Sequence, residues 1–294
     1  MPFRSIYLIF SILLFLNSCF LIKIPVPLKK QPITNSVNVY HFIISSNKNK
    51  IADTTLANSF IRESKKAYDW ISEEASKKKQ RLSFKEHWPD NKDTNLKNTF
   101  IHKLPSNSVQ RLYLKNYFKV VTRKKTKKQE EKIEKVNWKT ALFDSIAKQI
   151  KDTSIYNIIK KRNLNRSVTP NQLIVIHLIK AKKSKINGFY SGGETYIGHN
   201  KSRTIAHESI HYLGAPDLYI HKYWFDKRRR LVKKELRQEV MNTGIGKNYD
   251  CITYYISDYT AHTIGWTQEP EKKYKPLLKQ NLMAKFVFFI SLIL

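Results

Sequence analysis

Cysteine is scarce in this chain, which has only Cys19 and Cys251 among its 294 residues. Because Cys19 falls at the end of a candidate export signal, Cys251 has no cysteine to pair with inside a mature chain. This scarcity excludes a fold held by disulfides, and it excludes zinc knuckles built from cysteine. An exported protein of this sequence must therefore be stabilised by its apolar core or by a metal ion.

Acidic residues are also few: 23 Asp and Glu stand against 54 Lys and Arg, a formal net charge of +31. A charge of this size is typical of proteins that bind nucleic acid or an anionic membrane surface. The basic residues are spread along the chain without a recognised nucleic-acid-binding module, so we expect no specific nucleic-acid partner. The 41% of hydrophobic residues is enough for a packed core, and we expect a globular protein.

Long apolar runs are missing, since both the run from Ile6 to Leu16 and the one that starts at Phe286 are too short to span a bilayer as a helix. The first run follows an arginine and precedes small polar residues, a pattern that predicts a signal peptide over residues 1–18. Its ending, "LNSC", resembles the lipobox of bacterial lipoproteins. That resemblance implies cleavage before Cys19, a lipid on this cysteine, and anchoring in a bacterial cell envelope, either periplasmic or surface-exposed. The alternative is an ordinary secreted protein.

The mature chain is predicted to contain one folded domain between two short segments. Residues 19–36 carry prolines without helical periodicity, as expected of a tether. The domain is predicted over residues 37–282, and residues 283–294 form an apolar C-terminal tail. This tail is compatible with a terminal core strand or with contact to a membrane.

Strands and helices alternate in the predicted order, which indicates an α/β fold. Residues 76–95 lack a clear apolar pattern and are predicted to be a loop, and the region up to residue 135 has no firm assignment. The other elements are a buried strand at 38–46, a helix at 55–76, one or two helices within 138–161, a central strand at 171–180, a short edge strand at Thr195–Gly198, and a helix whose N-cap is Ser202.

That last helix carries the string "HESIH", with His207 and His211 four residues apart. At this spacing two imidazoles lie on one helical face about one turn apart, where they can converge on a single metal ion. Glu208 is placed to reach a water molecule on that ion and not the ion itself. The pattern predicts a zinc site, with a surface helix that happens to carry histidines as the alternative.

The residues after the helix strengthen the zinc prediction. Gly214 can adopt the left-handed conformation that ends a helix, and Pro216 prevents the helix from resuming. The chain would then turn sharply and bring Asp217 back toward the metal.

The whole stretch, "HESIHYLGAPDLY", resembles the HExxHxxGxxD form of the metzincin zinc endopeptidase signature. Its ending is similar to those of immune inhibitor A and snapalysin-like secreted bacterial peptidases. The resemblance implies that His207, His211 and Asp217 bind Zn²⁺ and that Glu208 is the catalytic base. It also implies a metzincin-like zincin domain, in which a mixed, twisted sheet with an antiparallel edge strand lies beside the active-site helix, and an enzyme that cleaves protein or peptide substrates.

Metzincins also place a methionine turn beneath the metal, and "EVMNTGIG" offers Met241 for this role. Some members carry a tyrosine two residues after the methionine, where this chain has Thr243. A tyrosine that stabilises the transition state is therefore not identified, and Tyr249, Tyr254 and Tyr255 are the possible substitutes.

Three further assignments remain open at the level of sequence. The basic segment 222–239 is a solvated surface helix or a contact for an anionic substrate or membrane, and its Glu235 or Glu239 is an alternative third ligand, as in thermolysin-like peptidases. An extended substrate is expected to pair with the edge strand at Thr195, Tyr196 and Ile197. A non-catalytic, metal-binding surface lipoprotein is the alternative from a different functional class.

Overall fold

The computed structural model describes residues 35–45, 54–93, 95–102, 138–165, 171–179, 188–191, 193–218, 228–242 and 250–278. The contacts divide the chain into two compact units. The sheet unit consists of Ile33–Tyr212 and Tyr249–Cys251, and the C-terminal unit contains Leu213–Asn248 and Ile252–Leu294. The predicted signal peptide, Cys19, the tether up to residue 34 and the predicted tail at 283–294 lie outside the described residues.

The sheet unit alternates strands and helices, as the sequence predicts. Its elements are β1 (Asn35–Ser45), α1 (Thr54–Lys77), β2 (Leu82–His87), β3 (Thr99–Ile101), α2 (Trp138–Gln149), α3 (Thr153–Asn165), β4 (Gln172–Leu178), β5 (Gly188–Ser191), β6 (Glu194–Ile197) and α4 (Ser202–Leu213). The predicted strands at 38–46 and 171–180 and the helices at 55–76 and 138–161 are confirmed, the last as two helices.

All six strands form one sheet with the order β2-β1-β4-β6-β5, and β3 also pairs with β1. Every pairing is parallel except that of β5 with β6, which is antiparallel. The prediction of a mixed α/β sheet with an antiparallel edge is therefore confirmed.

The two central strands are buried on both faces, as expected of parallel strands covered by helices. Alternate residues of β1, β4 and β6 form one core with α2, α3 and β3. The residues of this core are Tyr40, Phe42, Ile44, Phe100, Leu142, Phe143, Ile146, Ile150, Ile155, Ile159, Ile174, Ile176 and Tyr196.

Helices α1 and α4 pack on the residues of the opposite face. Tyr68 of α1 stacks near Phe84 of β2, with ring centroids 4.6 Å apart, and its hydroxyl lies 3.3 Å from the Ser209 hydroxyl of α4. Thr195 of β6 donates to the Glu208 carbonyl of α4 at 3.4 Å. The helix with the HExxH string is thus tied to both the sheet and α1.

Three strands differ from the prediction. The loop predicted at 76–95 is wrong over Leu82–His87, which forms β2 parallel to β1. Strands β3 and β5 are short, and the sequence did not predict them. Strand β3 forms by pairing with β1, which lies far away in the sequence, and β5 forms by pairing with β6 across a turn.

The assignment of Thr195, Tyr196 and Ile197 to an edge strand is also wrong. These residues belong to β6, which pairs with β4 on one side and with β5 on the other. All three side chains are buried. The position next to β6 that a substrate strand would need is therefore already filled by β5.

The C-terminal unit contains short helices and turns. Its helices are α5 (Arg228–Lys234), α6 (Asp258–Thr263) and α7 (Lys275–Leu278), with a 3-10 turn at Lys272–Tyr274. A further 3-10 turn, Cys251–Thr253, begins with the last residue of the sheet unit. Tyr255 lies before α6 and forms a bridge with Glu239. Among the described residues, no helix combines the length and apolar character needed to cross a membrane.

Candidate metal centre

Helix α4 is held at its N-terminus by a side chain from a distant part of the sequence. The Ser202 N–H donates to a carboxylate oxygen of Glu63 in α1 at 3.0 Å, and a negative charge at this end is favourable for a helix. The prediction that Ser202 is the N-cap is wrong. Ser202 lies within the helix, and its hydroxyl accepts a hydrogen bond from the Cys251 N–H at 3.2 Å. The Lys201 carbonyl accepts the first helical hydrogen bond, from the Ile205 N–H at 3.1 Å.

Helix α4 ends as the sequence predicts. Leu213 is its last residue, and Gly214 has a φ of 111°, a conformation that residues with a Cβ rarely adopt. The apolar face of the helix is buried, and its residues include Ile205, Ile210 and Leu213. The local pattern therefore determines both the helix and the residue at which it stops.

The predicted histidine and glutamate side chains are brought together on α4. Potential ligand atoms of His207, Glu208 and His211 all lie within 4.8 Å of one another. The two imidazole rings are 4.8 Å apart between centroids and nearly perpendicular, at 86°. His207 and Glu208 are buried, and His211 is half-buried.

This donor set is chemically suited to a transition metal. Imidazole nitrogens and carboxylate oxygens are common zinc ligands with bond lengths of about 2.0–2.2 Å, so ligand atoms around one ion stand roughly 3 to 4 Å apart. The potential ligand atoms of this group lie within 4.8 Å of one another, a limit somewhat wider than that separation. Within the described residues this is the one group of three histidine, cysteine or acidic side chains that could hold a metal ion.

Tyr190, which the sequence did not single out, lies beside this group. Its ring is 6.3 Å from the His211 ring between centroids, at an interplanar angle of 28°. Burial raises the pKa of the Tyr190 hydroxyl, and the nearby Glu194 carboxylate acts in the same direction. The residue belongs to β5, so no local pattern could have related it to a histidine on α4.

The C-terminal unit contains the other two residues assigned from the sequence. Asp217 is half-buried, and the N–H of Leu218, the next residue, donates to the Met241 carbonyl at 3.0 Å. Met241 is fully buried in a turn closed by a hydrogen bond from the Asn242 N–H to the Glu239 carbonyl at 2.9 Å. Asp217 as third ligand and Met241 as the methionine turn stay predictions from the sequence.

The two glutamates considered as alternative ligands have other partners in this unit. Both oxygens of the fully buried Glu239 are engaged: one accepts from the Met241 N–H at 2.6 Å, and the other from the Thr260 hydroxyl at 2.7 Å. Glu235 is about half exposed and lies 3.7 Å from the Lys273 ammonium. These contacts make Glu239 a structural residue of the turn and disfavour it as a ligand.

Two of the three tyrosines named as possible transition-state stabilisers lie among the described residues. Tyr254 is buried, and the Tyr255 hydroxyl donates to the Glu235 carbonyl at 2.6 Å. Tyr249 lies outside the described residues. His262 has its Nδ1 atom 3.3 Å from the Thr267 carbonyl oxygen.

A second pair of histidines is fully buried in the sheet unit. His41 Nδ1 lies 3.0 Å from His177 Nε2, and His41 Nε2 lies 3.0 Å from a Glu86 oxygen. Trp88 stacks on the His41 ring at 4.0 Å. Burial lowers the pKa of both imidazoles well below the usual range and raises the pKa of Glu86 to about 7.

Comparison with known proteins adds no relative to these observations. No model of a known protein family matches the chain, and no curated protein matches it. Any assignment of function therefore depends on the residues of the site themselves.

Proposed function

We propose that this protein is a zinc-dependent endopeptidase of metzincin-like type. The observation that carries the proposal is the grouping of His207, Glu208 and His211 on one helix, with their potential ligand atoms within 4.8 Å of one another. The Gly214 turn that follows the helix supports it, because the resemblance to the metzincin signature includes a glycine at this position.

His207 and His211 are proposed to hold the ion through their imidazole nitrogens. Asp217 is proposed as the third ligand on the basis of its spacing in the sequence, six residues after His211. Bound zinc would polarise the substrate carbonyl and lower the pKa of a coordinated water to about 7, which makes water a nucleophile at neutral pH.

Glu208 is proposed as the general base. Its carboxylate takes a proton from the attacking water and later delivers a proton to the leaving amine nitrogen. This role requires the carboxylate to lie beside the two imidazoles, as it does. Its burial removes competing water and strengthens its electrostatic interactions with the reacting atoms.

An extended substrate segment is proposed to lie along β5. Strand β6 has neighbours on both sides, whereas β5 pairs with β6 alone among the strands that the structure describes. A peptide that adds to such an edge gains backbone hydrogen bonds without requiring a particular sequence. The substrate class is therefore unfolded or extended polypeptide.

The chain is further proposed to be exported and anchored by a lipid on Cys19 in a bacterial envelope. Zinc, a polypeptide substrate and the membrane are then its partners. This part of the proposal comes from the N-terminal sequence and is independent of the metal site.

Metal removal tests the proposal with the full-length protein purified in detergent. We expect cleavage of a denatured protein substrate to stop after treatment with a chelator and to return with one equivalent of zinc. His207→Asn should lose at least nine-tenths of the bound zinc and the activity, whereas the matched variant His262→Asn should keep both. Cleavage that a chelator does not affect would refute the metal role, and a zinc-loaded protein that cleaves nothing would favour the non-catalytic lipoprotein.

A further inference from the structure

Strand β5 passes directly against the side chain of Glu208 at Gly188. A Cβ atom placed on Gly188 would stand 2.9 Å from Glu208 Cγ, 3.0 Å from a Glu208 carboxylate oxygen and 2.9 Å from Thr204 Cγ2. Carbon atoms that are not bonded to each other normally stay about 3.5 Å or more apart. Any other residue at position 188 would thus collide with the carboxylate side chain.

The need for glycine at this position is steric and not conformational. Gly193, Gly214 and Gly265 are the glycines with positive φ among the described residues, and Gly188 is not one of them. Alanine could therefore adopt its backbone conformation. What alanine would lack is room for its methyl group.

The atoms around Gly188 have little freedom to move away. Thr204 and Glu208 are 9% and 7% exposed and both lie on α4, where a β-branched side chain has few permitted rotamers. The Thr195 hydroxyl holds the Glu208 carbonyl. Strand β5 itself is paired with β6 along all four of its residues, from Gly188 opposite Ile197 to Ser191 opposite Glu194.

We infer that Gly188 is a positioning residue for Glu208: the side chain that is missing from β5 creates the space in which the catalytic carboxylate sits. The inference rests on the proposed function and adds a residue to its machinery. A methyl group at position 188 displaces either the carboxylate or the strand. A shift of about 1 Å in a reacting group can lower the rate by roughly a hundredfold.

The packing itself is tested without metal or activity, by thermal melting of the full-length, metal-free protein. Gly188→Ala should lower the Tm. This decrease should shrink by at least half in a Glu208→Ala background, because two of the three atoms that the new methyl group would meet belong to the Glu208 side chain and are then missing. Gly198→Ala, a change of the same kind one residue after Ile197, the β6 residue paired with Gly188, should change the Tm equally in both backgrounds. An equal loss for Gly188→Ala in both backgrounds overturns the inference.

Kinetics with the zinc-loaded protein test the consequence for catalysis. Gly188→Ala should lower kcat at least tenfold while KM changes less than threefold and one zinc per chain remains bound. Thr204→Ser removes one of the clashing carbons, so the double variant should recover at least a third of the lost kcat. Unchanged kcat in Gly188→Ala, or no recovery in the double variant, contradicts a positioning role.

The two sets of results separate this inference from the proposed function. If the wild-type protein cleaves nothing but the melting cycle shows coupling between Gly188 and Glu208, the endopeptidase proposal fails and the packing inference stands. If the wild-type protein cleaves the substrate but the melting cycle shows no coupling between Gly188 and Glu208, the endopeptidase proposal stands and the packing inference fails.

Discussion

The imidazoles of His41 and His177 are fully buried, and a Glu86 oxygen lies beside the first of them. A buried imidazole is stable only in its neutral form unless a charge compensates it. The pKa of each imidazole is lower in the folded protein than the ordinary value of 6.5. The unfolded chain therefore binds more protons than the folded chain once the pH falls below this value.

We predict that these two histidines make the fold sensitive to acid. The free energy of unfolding should decrease as the pH falls below 6.5, because the unfolded chain then takes up protons that the two buried imidazoles do not bind. Urea unfolding of wild-type protein and His177→Gln between pH 7 and 4 measures this effect, and the variant should show a shallower pH dependence. Equal pH dependence of the wild-type protein and His177→Gln would contradict the prediction.

Glu86 changes the pH dependence of the free energy of unfolding in the opposite direction. Its pKa rises from 4.5 to about 7 on burial, so the folded chain binds the extra proton between these values and acidification over that range stabilises it. Removal of this group by Glu86→Gln should therefore steepen the loss of stability between pH 7 and 4.5. A flatter curve for Glu86→Gln would contradict the assigned direction of its pKa shift.

The turn at Glu239–Asn242 is held by hydrogen bonds from buried polar side chains. The Glu239 carboxylate accepts from the Met241 N–H and from the Thr260 hydroxyl. The Asn242 amide donates to the carbonyls of Val232 and Leu236 at 3.1 and 2.8 Å.

We predict that Glu239→Ala destabilises the protein by about 2 to 4 kcal/mol, because buried donors lose their acceptor. Glu235→Ala is the matched control, since that side chain is about half exposed and should change the free energy of unfolding by less than about 0.5 kcal/mol. Denaturant unfolding at neutral pH provides the comparison. Equal effects for the two variants would mean that the Glu239 contacts do not support the turn.

Elements with a strong local pattern were predictable from the sequence, and elements that depend on distant partners were not. The apolar spacing of α4 and the glycine that ends it are local, as is the β-branched run of β4. Strand β2 has only Leu82 and Phe84 as large apolar residues and forms by pairing with β1, whose residues lie 47 positions earlier. Strand β5 was missed for the same reason, and β6 was therefore mistaken for an edge.

The same limit applies to the candidate site. His207, Glu208 and His211 were identified because one helical turn brings them together, which a sequence pattern records. Gly188 and Glu63 are separated from the residues that they contact by 20 and 139 positions. Such contacts are set by the packing of whole elements and have no local signal.

At the scale of the whole molecule, the N-terminal sequence predicts attachment to a membrane by a lipid on Cys19. Cys19→Ala should release the protein from the membrane fraction, because the residue proposed to carry the lipid is then missing. Fractionation of cells that express each form, after a wash with high salt to remove electrostatic binding, measures this. A salt wash that releases the wild-type protein completely would attribute attachment to the net charge of +31 instead.

Glu208 is proposed to perform general base catalysis beside a zinc ion held by His207 and His211. The most direct test compares the zinc-loaded wild-type protein with Glu208→Gln in cleavage of a denatured protein substrate, with the exposed Glu73→Gln as the matched control. We predict that all three bind one zinc per chain and that only Glu208→Gln loses activity, by about a hundredfold or more. Cleavage by Glu208→Gln at the wild-type rate would contradict the account.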